Sequence, residues 1–247
     1  MLAAYFDQFN VVNLITIWTA TFYGGYLTFS FTNSSLMMLF VIILFWSFFK
    51  VNYVIPNKWQ SILELINTVI QSMIKENLGA QGKHYFSFVF CLFIFIGLLN
   101  VLGLFPYVFT PTTHIIITFG LSFSIVLGVT ILGVLKFKID FMSMFMPGGV
   151  LLMLAPFLVI IETISYVTRA ISLGLRLAAN ISAGHLLFAI FSGFVFDMLT
   201  NGLRILSIFP VLVMIFITIL EMAVAVIQAY VFCLLTTIYL GDTIALH

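Results

Sequence analysis

The sequence predicts an all-α protein embedded in a membrane, with about five membrane helices and one amphipathic surface helix. Of its 247 residues, 63% are hydrophobic and only 7% are charged, whereas an ordinary soluble domain carries about 25% charged residues. The apolar residues fall into several runs, and each is about as long as the ~20 residues that a helix needs to cross a bilayer, or longer. A soluble domain on a single anchor is therefore excluded, and residues 1–247 are predicted to form one membrane domain.

The predicted spans follow an N-terminal stretch that is apolar but interrupted by Asn10, Asn13 and Gly24, so no span is assigned to it. In chain order the segments are this stretch at 1–35, a first span at 36–54, a helical hairpin of two spans at 85–135 and a long hairpin of two spans at 150–240. Helices of about 30 residues or more cannot stand upright in a hydrocarbon core about 30 Å thick. The last two helices are therefore predicted to be tilted.

Residues 56–78 have the period of an amphipathic helix. Apolar residues such as Ile62, Ile66 and Val69 recur every three or four positions, and charged or amide side chains interrupt them. Pro56 suits the start of this helix, and Gly79 suits the position just past its end. We expect it to lie along the membrane surface.

Lysines indicate the orientation of the chain. Six of them fall at the end of the first span, between the first and second spans or after the third span, which places them all on one side: Lys50, Lys58, Lys75, Lys83, Lys136 and Lys138. The positive-inside rule assigns that side to the matrix or cytoplasm. With five spans, the N-terminus is then predicted outside and the C-terminus inside.

Composition also excludes several classes of function. Nine basic and eight acidic residues give a net charge of +1, so no basic face for nucleic acid is expected and partners are sought in the membrane. Cys91 and Cys233 lie far apart without metal-ligand spacing, and no P-loop is present. No metal, cofactor or catalytic site of the chain's own is predicted.

The fourth predicted span carries a stripe of polar side chains. At 100° per residue, six of them fall within about 40° of Arg176 on a helical wheel: Glu162, Ser165, Arg169, Ser172, Arg176 and Asn180. Each ionised group at the bilayer centre costs about 3 kcal/mol. For Glu162 and Arg169, which lie nearer the end of the span, pairing with each other or snorkelling to the headgroups remains an alternative. Arg176 lies about 21 Å from Glu162 along an ideal helix, so we expect its partner on another helix or another chain.

Isolated titratable groups continue beyond Arg176. His185 falls on the opposite face of the same run, and Glu221 lies in the last span with Gln228 and Tyr239 within about 20° of its face. A lone histidine is most often a packed core residue, but a group that titrates near neutrality inside a membrane also suits a proton path. No lysine or arginine lies within fifteen residues of Glu221, and His185 is its predicted partner.

The residues around Arg176 resemble the signature of subunit a of the F-type ATP synthases. The resemblance rests on SLGLRLAANISAGHLL at 172–187, FIGLLNVLGLFPYVF at 95–109 and ILEMAVAVIQAYVFCLLTTIYLGD at 219–242. It implies that Arg176 is the essential arginine facing a ring carboxylate. It further implies an outer-side proton path through His185, Glu221, Asn180 and Gln228, an inner-side path at Glu162, and supporting roles for Arg169, Ser172, Asn100 and Tyr239.

Two details of the resemblance are informative. Bacterial members commonly have Glu where His185 stands and His where Glu221 stands, and the reverse order in this chain resembles the mitochondrial members. Many bacterial members also have an Asp three residues after the asparagine that Asn100 matches, where this chain has Gly103. The role of this helix in the outer path then rests on Asn100, with His114 as a further candidate.

The resemblance implies a proton-translocating stator subunit in the mitochondrial inner membrane, with a ring of c subunits, a peripheral stalk, other Fo subunits and lipids as partners. A secondary transporter is the first competing hypothesis, but it predicts inverted repeats and interrupted helices, which the sequence lacks. The second is a scaffold that nucleates assembly, and it leaves the polar stripe unexplained. A sodium-driven variant of the same family stays open, because the surroundings of the ring carboxylate lie on another chain.

Overall fold

The computed structural model of the chain describes residues 9–22, 25–48, 57–105, 108–138, 141, 154–202 and 204–244. Helix dominates them, and four helices are long and apolar enough to cross a membrane, which confirms the all-α membrane class. The helices are α1 (Asn33–Phe48), α2 (Lys58–Leu78), α3 (Phe86–Gly103), α4 (Ile115–Phe137), α5 (Ala155–Thr200) and α6 (Ile208–Ile244). Short 3-10 segments cover Gly79–His84 and Pro111–Thr113.

The four long helices match four of the predicted spans. Helices α3 and α4 lie in the segment where the first hairpin was predicted, and α5 and α6, with 46 and 37 residues, lie in that of the long one. Their pairing as hairpins stays a prediction. Helix α1 has 16 residues, and residues 49–54 of the first predicted span lie outside the described residues, as do residues 150–153. Pro156 stands in the first turn of α5, where a missing backbone N–H leaves no helical hydrogen bond unmade.

An antiparallel β-hairpin precedes α1. Strand β1 (Asn13–Phe22) pairs with β2 (Gly25–Thr32), with Phe22 opposite Gly25 and Asn13 opposite Thr32. The strands are rich in β-branched and aromatic residues, which favour extended backbone. The sequence analysis did not predict this hairpin, although Gly24 and Gly25, where the two runs meet, are a turn signal.

Contacts divide the chain into two compact units, and the divisions fall inside α3, α5 and α6. The first unit comprises residues 1–50, 95–114 and 179–227, and the second comprises residues 51–94, 115–178 and 228–247. The first unit therefore holds His185 and Glu221. The second holds Arg176.

Helix α2 belongs to the second unit and packs on protein along part of its apolar face. Ile70, Met73 and Ile74 are buried in one cluster with Val89 of α3 and Cys233 of α6. Nearer its start, Ile62 and Leu65 are exposed. The predicted amphipathic helix is thus present, and its first half keeps an uncovered apolar face, while its position on a membrane surface stays a prediction.

Hydrogen bonds in the second unit are made at the ends of α2, α4 and α6. Gly79 follows α2 with φ of 59°, and its N–H donates to the carbonyl of Lys75, as a helix-ending glycine does. Lys136, near the end of α4, donates from Nζ to the carbonyl of Ile244 at the end of α6, at 3.3 Å. The lysine-bearing end of α4 and the C-terminal end of α6 therefore lie at the same end of this unit.

Candidate functional site

One face of α5 in the second unit packs against α4 through a glycine. A Cβ added to Gly174 would lie 2.6 Å from Oγ of Ser122 and 3.1 Å from the backbone oxygen of Thr118. Leu173 and Leu177, beside it, are buried. Gly174 lies roughly opposite Arg176 on the helical wheel. The close approach to α4 therefore turns the polar stripe away from that helix.

Arg176 is exposed on this outward face. Its Nη2 donates to Oγ of Ser172, one turn earlier on the same helix, at 3.4 Å. Its exposed neighbours Ile171 and Leu175 are apolar, and in the described part of the chain no carboxylate forms an ion pair with it. The guanidinium charge of Arg176 is therefore uncompensated by the chain where the chain is described.

Arg169, two turns earlier, has partners on α6 within the same unit. Its Nη1 lies 3.4 Å from Oδ2 of Asp242, and its guanidinium carbon lies 6.0 Å from the ring centroid of Tyr239. Tyr239 is buried and lies within electrostatic range of both Arg169 and Arg176. Helix α6 thus lines the stripe on one side with a tyrosine and an acid.

Asp242 was missed by the sequence analysis. The sequence contained a signal for it, because Asp242 follows Tyr239 by three residues and so lies on nearly the same side of a helix.

Glu162 is half-buried, and the described residues give it no ion pair, so its mutual pairing with Arg169 is not observed. Gln228 is buried, and its Nε2 has no hydrogen-bond partner within the described ranges. Buried amides of this kind are usually satisfied by water or by another molecule.

The first unit holds a second polar group, centred on Glu221 of α6. A Cβ added to Gly184 of α5 would coincide with Oε1 of Glu221. The carboxylate therefore lies directly over the α5 backbone, in space that only a glycine leaves open. His185 is the next residue along α5.

His185 is half-buried in the first unit and contacts two other segments. Its Nε2 lies 3.4 Å from Oγ1 of Thr110, and its ring meets the ring of Phe9 edge-on, with centroids 6.2 Å apart. Its partners among the described residues do not include Glu221, so the pairing of the two side chains stays a prediction. Asn180 is exposed on the same helix.

Asn100 joins α3 to α6 close to Glu221. Its side chain is completely buried, and Nδ2 donates to the carbonyl of Ala225 at 3.5 Å, one turn beyond Glu221. Its Oδ1 has no partner in the residues that the structure describes. A buried amide with one open acceptor is a place for water. His114, the further candidate, stacks on Phe109 with ring centroids 5.5 Å apart.

Known proteins match the part of the chain that carries these residues. The family model described as ATP synthase A chain matches residues 31–241. The chain belongs to the ATP synthase A chain family. The matched range includes every predicted site residue from Asn100 to Tyr239 and ends one residue before Asp242.

Similar proteins cover nearly the whole chain. ATP synthase subunit a of Metridium senile is 59% identical over 245 residues, which are 99% of this chain and 99% of that protein. ATP synthase subunit a of Chondrus crispus is 41% identical over 98% of this chain and 96% of its own length. The protein of the same name from Pelagibacter ubique is 41% identical over 90% of this chain and 91% of its own. The family likeness therefore extends from animal to bacterial relatives.

Proposed function

We propose that this chain is the proton-translocating stator subunit in the Fo membrane sector of a mitochondrial F-type ATP synthase. The observation that carries the proposal is the exposed guanidinium of Arg176 on α5, flanked by apolar side chains and without an acidic partner among the described residues. A charge in this position is costly in a membrane unless another molecule supplies the opposite charge. A buried carboxylate on each c subunit of a rotating ring would supply it.

In this mechanism protons use two offset half-channels. On the outer side, Glu221, His185, Asn180 and Gln228 pass a proton to a ring carboxylate, with Asn100 in support. The neutral carboxylate then turns through lipid, and after nearly a full turn it releases its proton on the inner side near Glu162. Ser172 accepts a hydrogen bond from Arg176, and Tyr239 lies within electrostatic range of it, so both support Arg176. Arg169 contributes positive charge to the inner side.

Arg176 stands between the half-channels. A guanidinium stays protonated at any physiological pH, so it attracts each passing carboxylate in its ionised form and promotes loss of the proton. The same fixed charge repels a proton that would leak from one half-channel to the other. Lysine is a poorer substitute, because an ammonium group can lose its proton when it is desolvated.

The proposed subunit works as one part of a larger assembly. ATP chemistry takes place on other subunits, and this chain contacts the c-ring, the peripheral stalk, other Fo subunits and membrane lipids. The lysine-bearing end of α4, near the end of α6, faces the matrix. The N-terminus then lies on the intermembrane side and the C-terminus on the matrix side.

The decisive experiment replaces Arg176 in the assembled complex. We expect Arg176→Ala to abolish ATP-driven proton pumping and to raise passive proton leak through the membrane sector, with assembly checked on a native gel. Arg204→Ala is the matched control, because Arg204 is an exposed arginine in the turn between α5 and α6 and its removal changes the net charge by the same amount. Near-normal pumping by Arg176→Ala in an assembled complex would overturn the mechanism.

A further inference from the structure

Thr110 has a buried hydroxyl that its own turn does not use. It stands at the N-cap of the 3-10 turn Pro111–Thr113 without capping that turn through its side chain, although an N-cap hydroxyl normally bonds to the turn. Instead, Thr113 Oγ1 donates to the carbonyl of Thr110 at 2.7 Å. The Thr110 hydroxyl remains available, and it lies 3.4 Å from Nε2 of His185, at the long end of the hydrogen-bond range.

A hydroxyl suits a histidine that gains and loses a proton. When His185 is neutral with Nε2 unprotonated, the threonine hydroxyl can donate to Nε2. When His185 is protonated, Nε2–H can donate to the same oxygen, because a hydroxyl is both a donor and an acceptor. Thr110 can therefore hold the imidazole in one position throughout a proton transfer, whereas an apolar side chain of the same shape cannot.

Gly103, the last residue of α3, makes the space that Thr110 occupies. A Cβ added at Gly103 would overlap Cγ2 of Thr110 and would lie 3.3 Å from its Cβ. Thr110 is only 4% exposed, so the methyl group has little room to move elsewhere. The missing side chain at Gly103 thus seats Thr110 against the end of α3, with its hydroxyl directed to His185.

We propose that Thr110 is a positioning residue for His185 in the outer proton path, and that Gly103 is required to seat it. This inference rests on the proposed function, since it assigns Thr110 a part in proton delivery. In this chain Gly103 has no side chain, and the methyl group of Thr110 occupies the space beside it. The hydroxyl group of the same threonine contacts His185.

The test compares two substitutions of Thr110 in the assembled complex. Thr110→Val keeps the shape and removes the hydroxyl, and we expect it to lower coupled proton transport about tenfold, as loss of one buried hydrogen bond does. Thr110→Ser restores the hydroxyl, and we expect transport within about twofold of the unaltered chain. A purely structural role predicts the reverse order, because valine fills the space better than serine.

Gly103 supplies an independent test. Gly103→Ala should slow transport because its methyl group displaces Thr110, and Gly103→Ala with Thr110→Ser should recover, because serine lacks the Cγ2 that collides. Two residues in contact are expected to show this non-additivity. Gly120→Ala is the matched control, since an added Cβ there meets nothing within 4 Å.

The outcomes separate this inference from the function on which it rests. If Thr110→Val assembles and transports normally, or if Thr110→Ser is as slow as Thr110→Val, Thr110 does not position His185. If Thr110→Val does not assemble, the Gly103 pair decides: slow transport rescued by Thr110→Ser supports the inference, and the absence of rescue refutes it. Failure of the proposed function would show instead as normal pumping by Arg176→Ala in the same assay.

Discussion

Arg169 and Arg176 lie two turns apart on one face of α5, yet their surroundings differ. Arg169 pairs with Asp242 at 3.4 Å and lies over the ring of Tyr239. Within the described residues, Arg176 donates to the neutral hydroxyl of Ser172 alone, and it is flanked by exposed apolar side chains. The first charge is compensated inside the chain, whereas the second is left open on the surface.

An arginine in a membrane helix is therefore informative about function when the chain leaves it without a counter-charge. The stripe on α5 contains one compensated and one uncompensated arginine, and their positions in the sequence do not distinguish them. Since an unpaired charge in a membrane is costly, the open position at Arg176 is the place for the ring carboxylate that we propose as its partner.

The largest expected effect separates the two arginines directly. Arg176→Gln should lower ATP-driven proton pumping by about a hundredfold or more, as removal of a charge that acts on the reacting group does. Arg169→Gln should lower it less than about tenfold, because an exposed ion pair contributes little by itself. Pumping rates are to be compared per assembled complex. Equal losses in the two variants would contradict the contrast.

The second effect concerns the polar group in the first unit. Gly184→Ala should displace the carboxylate of Glu221, because the new Cβ takes the place of Oε1. We expect proton transport to fall by about tenfold or more, the loss that follows when a proton-transferring group is misplaced. Gly128→Ala is the control, because an added Cβ there meets nothing within 4 Å. Normal transport in an assembled Gly184→Ala complex would show that Glu221 need not lie at this position.

A third effect falls on the packing that turns the stripe outward. Gly174→Ala brings a methyl group within 3.1 Å of the Thr118 carbonyl and within 3.2 Å of the Phe119 Cα, and backbone atoms cannot move aside cheaply. Overpacking of this kind costs about 1–3 kcal/mol. Thermal unfolding of the purified complex should show the loss. Gly128→Ala, also an exchange within a helix, should instead be neutral or slightly stabilising.

The long helices and the shared face of the two arginines could be predicted from the sequence, whereas the contacts that distinguish the two arginines could not. Hydropathy predicted α3 to α6 because each run is long and apolar, and helical spacing placed Arg169 and Arg176 on one face. Contacts between distant segments were missed. Asp242 lies 73 residues from Arg169, and Thr110 contacts His185 from the N-cap of a three-residue turn, which has no periodic pattern. The β-hairpin was missed because its strands are as apolar as a segment that lies on a membrane.

The smallest effect tests whether Arg169 is compensated as the structure indicates. Asp242→Asn keeps an oxygen near the guanidinium and removes its charge. Because the two side chains are 40% and 45% exposed, we expect a loss of stability of no more than about 1 kcal/mol, visible at low salt and smaller at high salt. Asp197→Asn is the control, since the described residues give Asp197 no ion pair. A loss in Asp242→Asn that did not change with salt would mean that the carboxylate acts through packing rather than charge. In that case Arg169 would be as uncompensated as Arg176, and exposure among apolar neighbours would be the only property that distinguishes the two arginines.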